Sequence, residues 1–94
     1  MDICISDIVC ARAGRDQGKY FFVIDTDGEY LLLADGKGRK LERPKRKKLR
    51  HVCFTARTHG PTAEKLRSGE KVSNSELRRA LADQPAALAG IQEE

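Results

Sequence analysis

The hydrophobic and polar positions of the chain fall into short runs that predict β-strands over most of the first 56 residues. The clearest run, residues 20–24, is an unbroken series of aromatic and branched apolar residues, which is typical of a strand buried on both faces. Asp27-Gly28 follows this run and is a strong hairpin signal, because both residues suit a two-residue turn. Residues 29–34 are therefore predicted as the returning strand.

Three weaker runs complete the predicted sheet. Residues 8–13 and 52–55 have the character of short strands, and residues 39–43 are predicted as a further short strand with Leu41 as its single inward side chain. Pro44 is expected to stop strand pairing or to move it to an edge, because proline has no backbone N–H. Five short strands joined by tight turns predict a small five-stranded barrel, since closure removes exposed strand edges.

After position 57 the strand-like apolar runs end, and the sequence predicts two short helices. Thr62 is expected to cap the first, over residues 62–69, with Gly69 as its stop. Ser73 and Glu76 fit a capping box for the second, over residues 74–82, and Pro85 follows its end. The predicted organisation is mainly β, with a barrel at residues 1–57, a short helical extension at 58–84 and a flexible tail at 85–94.

Length and composition favour one small globular domain. The 94 residues are 39% hydrophobic and 34% charged, and no apolar run approaches the roughly 20 residues that span a bilayer. The N-terminus carries Asp2 and Asp7 and lacks the basic region of a secretory signal, so a cytoplasmic or nuclear protein is expected, and cytoplasmic is preferred. Three cysteines at unrelated spacings match no zinc motif and predict reduced thiols.

Positive charge is concentrated in residues 36–51, here called the basic stretch. It holds nine of the eighteen Lys and Arg residues and one acid, Glu42, so its net charge is +8 while the rest of the chain carries −4. This charge density favours a polyanion as the partner, and nucleic acid is the commonest one. Two other interpretations stay open: a solvated basic loop without a partner, and a nuclear import signal in residues 44–48.

Residues 9–34 resemble a KOW motif. An apolar strand is followed by Gly14-Arg15-Asp16-Gln17-Gly18-Lys19, a second apolar strand, a turn and a third apolar strand. With the basic stretch and the helical ending, residues 5–82 are similar to small bacterial KOW-domain RNA-binding proteins related to the ribosomal protein L14e family. The resemblance implies an SH3-like five-stranded barrel that binds structured, typically ribosomal, RNA without catalysis. Gly18 takes the position of the motif's defining glycine, whereas Tyr20 stands where many members have a small residue.

The predicted RNA-binding residues are the cations of the basic stretch and of the loop before the second strand. They would contact phosphates, which provide affinity but no sequence information, so recognition of RNA shape is expected. Tyr20 and Tyr30 are the candidates for base stacking. The predicted site comprises Arg12, Arg15, Lys19, Lys37, Arg39, Lys40, Arg43, Lys45, Arg46, Lys47, Lys48, Arg50 and His51.

The sequence shows no catalytic, cofactor-binding or metal-binding motif. Neither His51 nor His59 belongs to a recognisable catalytic pattern, and the clustered Asp25, Asp27 and Glu29 fall in a predicted hairpin turn. The prediction is a monomeric, non-enzymatic protein that binds ribosomal RNA, with ribosomal proteins as further candidate partners and no membrane association. The alternative is a protein-interaction barrel of a transcription or translation complex. Added salt separates the two, because phosphate contacts weaken steeply as salt is raised.

Overall fold

The structure, a computed structural model, describes residues 2–83 and contains five strands followed by two helices. The strands are β1 (Ile8–Ala11), β2 (Tyr20–Asp27), β3 (Tyr30–Ala34), β4 (Lys45–Lys48) and β5 (Val52–Ala56). A 3₁₀ turn (Leu49–His51) joins β4 to β5, and helices α1 (Pro61–Ser68) and α2 (Asn74–Ala82) follow. All strands belong to one antiparallel sheet in the order β4-β3-β2-β1-β5, so the mainly β class and the short C-terminal helices are confirmed. The predicted tail at residues 85–94 lies outside the described residues.

The sheet curls because its two edge strands are close neighbours in sequence. β4 and β5 lie at opposite edges, yet only Leu49–His51 separate them. In a flat sheet, strands four places apart would be about 19 Å apart, whereas the four residue steps from Lys48 to Val52 span at most about 14 Å. Within residues 2–83 no ladder joins β4 to β5, so the sheet is curled and open, and its predicted closure into a barrel is not confirmed.

Each face of the curled sheet carries its own apolar layer. The inner layer fills the concave face with buried residues of four strands, namely Val9, Ala11, Phe21, Val23, Leu31, Leu33 and Val52. The outer layer lies between the opposite face and the helices, and it joins Ile8, Phe22 and Ala34 to Leu66 of α1 and Leu77 of α2. Both layers arise from the alternation of strand side chains. The helices therefore share a core with the sheet, and independent folding of residues 1–57 stays a prediction.

The fourth strand follows Pro44, so the prediction of a strand at residues 39–43 is wrong. β4 pairs with β3 from Lys45 onward, immediately after the proline, where the missing N–H removes no ladder bond. Leu41 instead packs against the outer layer, and its backbone N–H donates to Asn74 Oδ1 at 2.8 Å. A tertiary contact with α2 has replaced the local strand tendency of this segment.

The helix ends follow the sequence signals with one exception. Ser73 Oγ accepts a hydrogen bond from the Glu76 N–H at 3.1 Å, which confirms Ser73 as the N-cap of α2. The second bond of the predicted capping box is absent from residues 2–83, because the Glu76 carboxylate pairs with Lys65 Nζ at 3.2 Å. Gly69 ends α1 in the left-handed conformation, with φ 81°, as predicted. The predicted Thr62 cap is wrong, because Pro61 starts the helix one residue earlier with its pre-set φ. No helix within residues 2–83 combines the length and apolar character needed to cross a bilayer.

Candidate nucleic-acid interface

Three connections meet at one end of the curled sheet, here called the loop end. The alternating strand directions place the β1–β2 loop (residues 12–19), the β3–β4 loop (residues 35–44) and the start of β5 at this end. The β1–β2 loop is central, because the other two connections both contact it. Arg39 of the β3–β4 loop binds Asp16, with Nη2 2.8 Å from Oδ2, and the Arg12 N–H donates to the His51 carbonyl at 2.8 Å. The structure thus brings distant parts of the predicted site together.

Asp16 anchors the two loops from a buried position. Its side chain is only 7% exposed, and Oδ2 accepts hydrogen bonds from Arg39 Nε at 3.1 Å and Nη2 at 2.8 Å. Lys19 Nζ lies 3.6 Å from Oδ1. Burial raises the pKa of Asp16, but the hydrogen bonds and charges of Arg39 and Lys19 outweigh it and hold the pKa below its ordinary value. Asp16 is therefore a carboxylate at neutral pH that compensates part of the charge of these two cations.

Lys47 links the edge strand β4 to the β1–β2 loop. The alternation of side chains along β4 places Lys47 on the inner face of the sheet, opposite Leu31. Its Nζ donates to the Ala13 carbonyl at 2.6 Å. Gly14 makes room for this ammonium group, since a Cβ at that position would lie 3.1 Å from Nζ, and its φ of 84° also suits glycine. Lys47, one of the predicted phosphate contacts, therefore already binds a group within the protein.

Arg46, on the opposite face of β4, also makes contacts within the protein. Its guanidinium lies 3.8 Å from the centroid of the Tyr30 ring and 3.5 Å from Asp27 Oδ2. Lys48 Nζ lies 5.9 Å from the same ring centroid. These contacts leave Tyr30 covered by cations, so it is a poor platform for a nucleobase. Lysine and arginine on this short edge strand also discourage pairing with another strand.

Nine of the thirteen predicted site residues make no side-chain hydrogen bond or ion pair with residues 2–83. Eight of the nine belong to the loops, the 3₁₀ turn or the first residue of β4, and Lys48 is the exception at the far end of that strand. The eight Lys and Arg residues among the nine have no acid within residues 2–83 as partner, so they must be hydrated or meet an external anion. The nine residues are Arg12, Arg15, Lys37, Lys40, Arg43, Lys45, Lys48, Arg50 and His51.

Arg78 of α2 extends the loop end and was missed by the sequence prediction. Its Nη1 donates to the Gly36 carbonyl at 2.5 Å and its Nη2 to Ser75 Oγ at 3.1 Å. Beside it, Asn74 also bonds the β3–β4 loop, through the Leu41 N–H and through Glu42. The helix pattern indicated which residues pack in the core, but no local signal showed which polar face of α2 meets the loop.

Other chemistry receives no support from the described residues. No group of three His, Cys, Asp or Glu side chains within residues 2–83 is arranged to hold a metal ion. Asp25 and Asp27 are exposed at the β2–β3 hairpin, as a solvated turn requires. Cys10 faces Cys53 across β1 and β5, and burial raises the pKa of Cys10, which favours its thiol form. The cationic loop end is therefore the chemically distinctive surface of this part of the chain.

No protein-family model matches the chain, and no curated protein is significantly similar to it. The KOW resemblance accordingly stays a prediction that depends on the motif residues themselves. Of these, Gly18 has a positive φ of 88°, and its N–H donates to the Ala11 carbonyl at 2.9 Å. Gly18 thus closes the β1–β2 loop, which is the loop that the motif singles out.

Proposed function

We propose that this chain is a non-catalytic RNA-binding protein of the cytoplasm, which binds structured RNA through the loop end and associates with the ribosome or with translation. The observation that carries the proposal is the convergence of cations without internal partners on three connections tied to one another. A dense group of Lys and Arg side chains neutralises phosphates and gains from counterion release. Ribosomal RNA is the expected target, as the KOW resemblance implies.

The anchoring of the loops supports recognition of shape. The Asp16–Arg39 pair and the Lys47 bond hold the β1–β2 loop against its neighbours, so the cations on these loops have restricted positions. A fixed arrangement of charges selects RNA whose phosphates have a matching arrangement, and it reads little of the base sequence. The resulting partner is a folded RNA rather than a defined single-stranded sequence.

We also propose that the curled sheet is an SH3-like barrel. Two features support this: the five-stranded order β4-β3-β2-β1-β5, and the single 3₁₀ turn that connects the two edges. Lys47 also connects the edge strand β4 to the β1–β2 loop, although β4 has no ladder with β1. Residues 45–48 pair with β3, and Arg46 and Lys47 make side-chain bonds within the protein. This disfavours the import-signal interpretation, because such a signal has to be accessible to a receptor.

The experiment is a titration of structured ribosomal RNA fragments over a range of salt concentrations. The parent protein should bind with an affinity that falls steeply as salt rises, and the Arg12→Gln/Arg15→Gln variant should flatten the slope of log affinity against log salt by about 0.7 to 0.9 per lost contact. The Lys71→Gln/Arg79→Gln variant is the matched control, since it removes the same charge from the helical part of the chain. Its slope should change little.

Two results would contradict the proposal. Absence of RNA binding by the parent would leave the basic stretch as a solvated surface. Binding to a protein complex that is insensitive to salt, without RNA binding, would favour the protein-interaction alternative. Sedimentation of the protein with ribosomes, and its release by RNase or by raised salt, would test the ribosomal assignment separately.

A further inference from the structure

A cleft of about 530 Å³ lies between the β3–β4 loop and α2, at the side of the loop end. It is lined by Lys19, Tyr20, Asp35, Lys37, Gly38, Arg78 and Leu81. We propose that this cleft captures one unpaired nucleotide of the bound RNA, with the base against Tyr20 and a phosphate near Lys37 and Arg78. This inference rests on the proposed RNA binding and adds to it a specific site and a preference for RNA with an unpaired base.

Tyr20 is the aromatic residue placed to meet a base. It is half-buried, because it packs against the outer apolar layer, and it also lines the cleft. Tyr30, the other tyrosine, has the Arg46 guanidinium 3.8 Å from its ring centroid. A tyrosine that packs against an apolar layer and also lines a cleft suits stacking, which is tolerant of base identity.

Arg78 is held in place at the rim of the cleft. Its two donated hydrogen bonds go to the Gly36 carbonyl and to Ser75 Oγ, both neutral groups, so its positive charge is not matched by an acid within residues 2–83. Gly36 has φ 77°, and a Cβ there would collide with the carbonyl oxygen of Asn74. The close approach of the β3–β4 loop to α2 therefore requires glycine at position 36 and fixes the relation between Lys37 and Arg78.

The charges around the cleft select an anionic ligand. Lys37 and Arg78 contribute two positive charges without an ion pair within residues 2–83, and Lys19 contributes a third that Asp16 partly compensates. The only acid in the lining is Asp35. Asp35 Oδ1 accepts hydrogen bonds from the backbone N–H groups of Lys37 and Arg39, each at 2.9 Å, and so stabilises the turn at the start of the β3–β4 loop. A nucleotide combines the flat ring and the phosphate that this lining complements. Only an unpaired base can enter, because a paired base stays stacked within its helix.

The first test uses tyrosine fluorescence, which is practical because the chain has two tyrosines and no tryptophan. In a Tyr30→Phe variant, Tyr20 is the single emitter, and stacking of a base on its ring should quench it. Titration with oligouridylate should give a saturating quench. Arg78→Gln should weaken the apparent affinity several-fold, while Arg79→Gln, the same change one residue along the helix, should not. Absence of a quench, or equal effects of the two variants, would overturn the proposal.

The second test separates the cleft from RNA binding in general. It compares an RNA hairpin that carries one bulged uridine with the same hairpin without the bulge. Tyr20→Leu should reduce affinity for the bulged hairpin by about tenfold and leave the other unchanged, whereas Tyr20→Phe should retain binding to both. If the parent binds both hairpins equally and Tyr20→Leu has no effect, the cleft inference fails while RNA binding stands. If the parent binds neither hairpin, the proposed function fails with it.

A stability control keeps the second test interpretable. Tyr20 also contributes to the outer layer, so Tyr20→Leu is compared with the parent by thermal unfolding before any titration. Should Tyr20→Leu unfold, the pair Arg78→Gln and Arg79→Gln is applied to the same two hairpins. A loss confined to Arg78→Gln and to the bulged hairpin would support the nucleotide site, and an equal loss on both hairpins would contradict it.

Discussion

The β3–β4 loop and strand β4 are adjacent in sequence and similarly basic, yet the structure uses their charges differently. In β4, Lys47 binds the Ala13 carbonyl and Arg46 covers the Tyr30 ring. In the loop, Arg39 binds Asp16, but Lys37, Lys40 and Arg43 make no side-chain hydrogen bond or ion pair with residues 2–83. Two of the four strand cations, Arg46 and Lys47, therefore help to hold the fold, and most of the loop cations are available to a partner.

The difference teaches that charge density identifies a region but not the residues that bind. The alternation of β4 sends Lys47 to the inner face and Arg46 to the other, where each meets a group supplied by a distant part of the chain. The β3–β4 loop has no alternation of this kind, and its backbone position is set by the packing of Leu41 and by the hydrogen bonds of Asn74. The predictions below test this division, starting with the largest expected effect.

Leu33→Ala should destabilise the protein most, because it removes a fully buried side chain from the inner layer beneath the start of β4. We expect a loss of about 2 to 5 kcal/mol in the free energy of unfolding, which is a large part of the roughly 5 to 15 kcal/mol typical of small domains. Urea unfolding measures it. Leu32→Ala, at the neighbouring half-buried position, is the control and should cost about 1 kcal/mol. Equal losses would mean that the faces of β3 are wrongly assigned.

Lys47→Met should cost about 1 to 2 kcal/mol of stability, because it keeps the apolar stem but removes a charged hydrogen bond. Lys45→Met is the matched control, since Lys45 lies on the same face of β4 and makes no side-chain bond with the described residues. Its effect on stability should be within about 0.5 kcal/mol. Chemical unfolding of the two variants side by side decides the point. If Lys47→Met left the free energy of unfolding unchanged, the claim that Lys47 of β4 helps to hold the fold would be wrong.

Asp16 should make the stability of the loop end sensitive to acid. The pKa of Asp16 is lowered in the fold, so its pair with Arg39 stabilises the protein fully above the ordinary aspartate pKa of about 3.9. This contribution is lost as the pH falls through the lowered value. Asp16→Asn should cost about 1 kcal/mol at neutral pH, and the difference from the parent should shrink below about pH 4. Unfolding curves across this range measure it, and a gap that stays constant with pH would exclude the proposed ionic role.

The features predicted from sequence are those with local causes. Ser73 caps α2 with its own Oγ, and Gly69 ends α1 through its own φ. The predicted hairpin between β2 and β3 forms, with its turn at Gly28-Glu29, one residue after the predicted Asp27-Gly28. The sheet and its helices followed from such signals. The prediction of a strand at residues 39–43 was wrong because the Leu41 N–H donates to Asn74 of α2, which lies 33 residues further along the chain.

The candidate site was predictable as a region and not as a set of residues. The composition of the basic stretch indicated where cations concentrate, and the KOW-like loop placed Arg12 and Arg15 with them. Nothing local to Lys47 foretold its bond to Ala13, which depends on the curl of the sheet. The place of Arg78 in the candidate site could not be predicted from sequence either, since its bond to the Gly36 carbonyl depends on how α2 packs.

The most direct test of the central claim compares two triple variants within the basic stretch by their salt dependence of RNA binding. Lys37→Gln/Lys40→Gln/Arg43→Gln removes loop cations without internal partners, and Arg39→Gln/Arg46→Gln/Lys47→Gln removes three that bind inside the protein. The first should flatten the slope of log affinity against log salt by about 2 to 3 and leave the unfolding temperature nearly unchanged. The second should lower the unfolding temperature and, measured well below it, flatten the slope by less than about 1. An unchanged slope in the first variant, or equal flattening in both, would contradict the account.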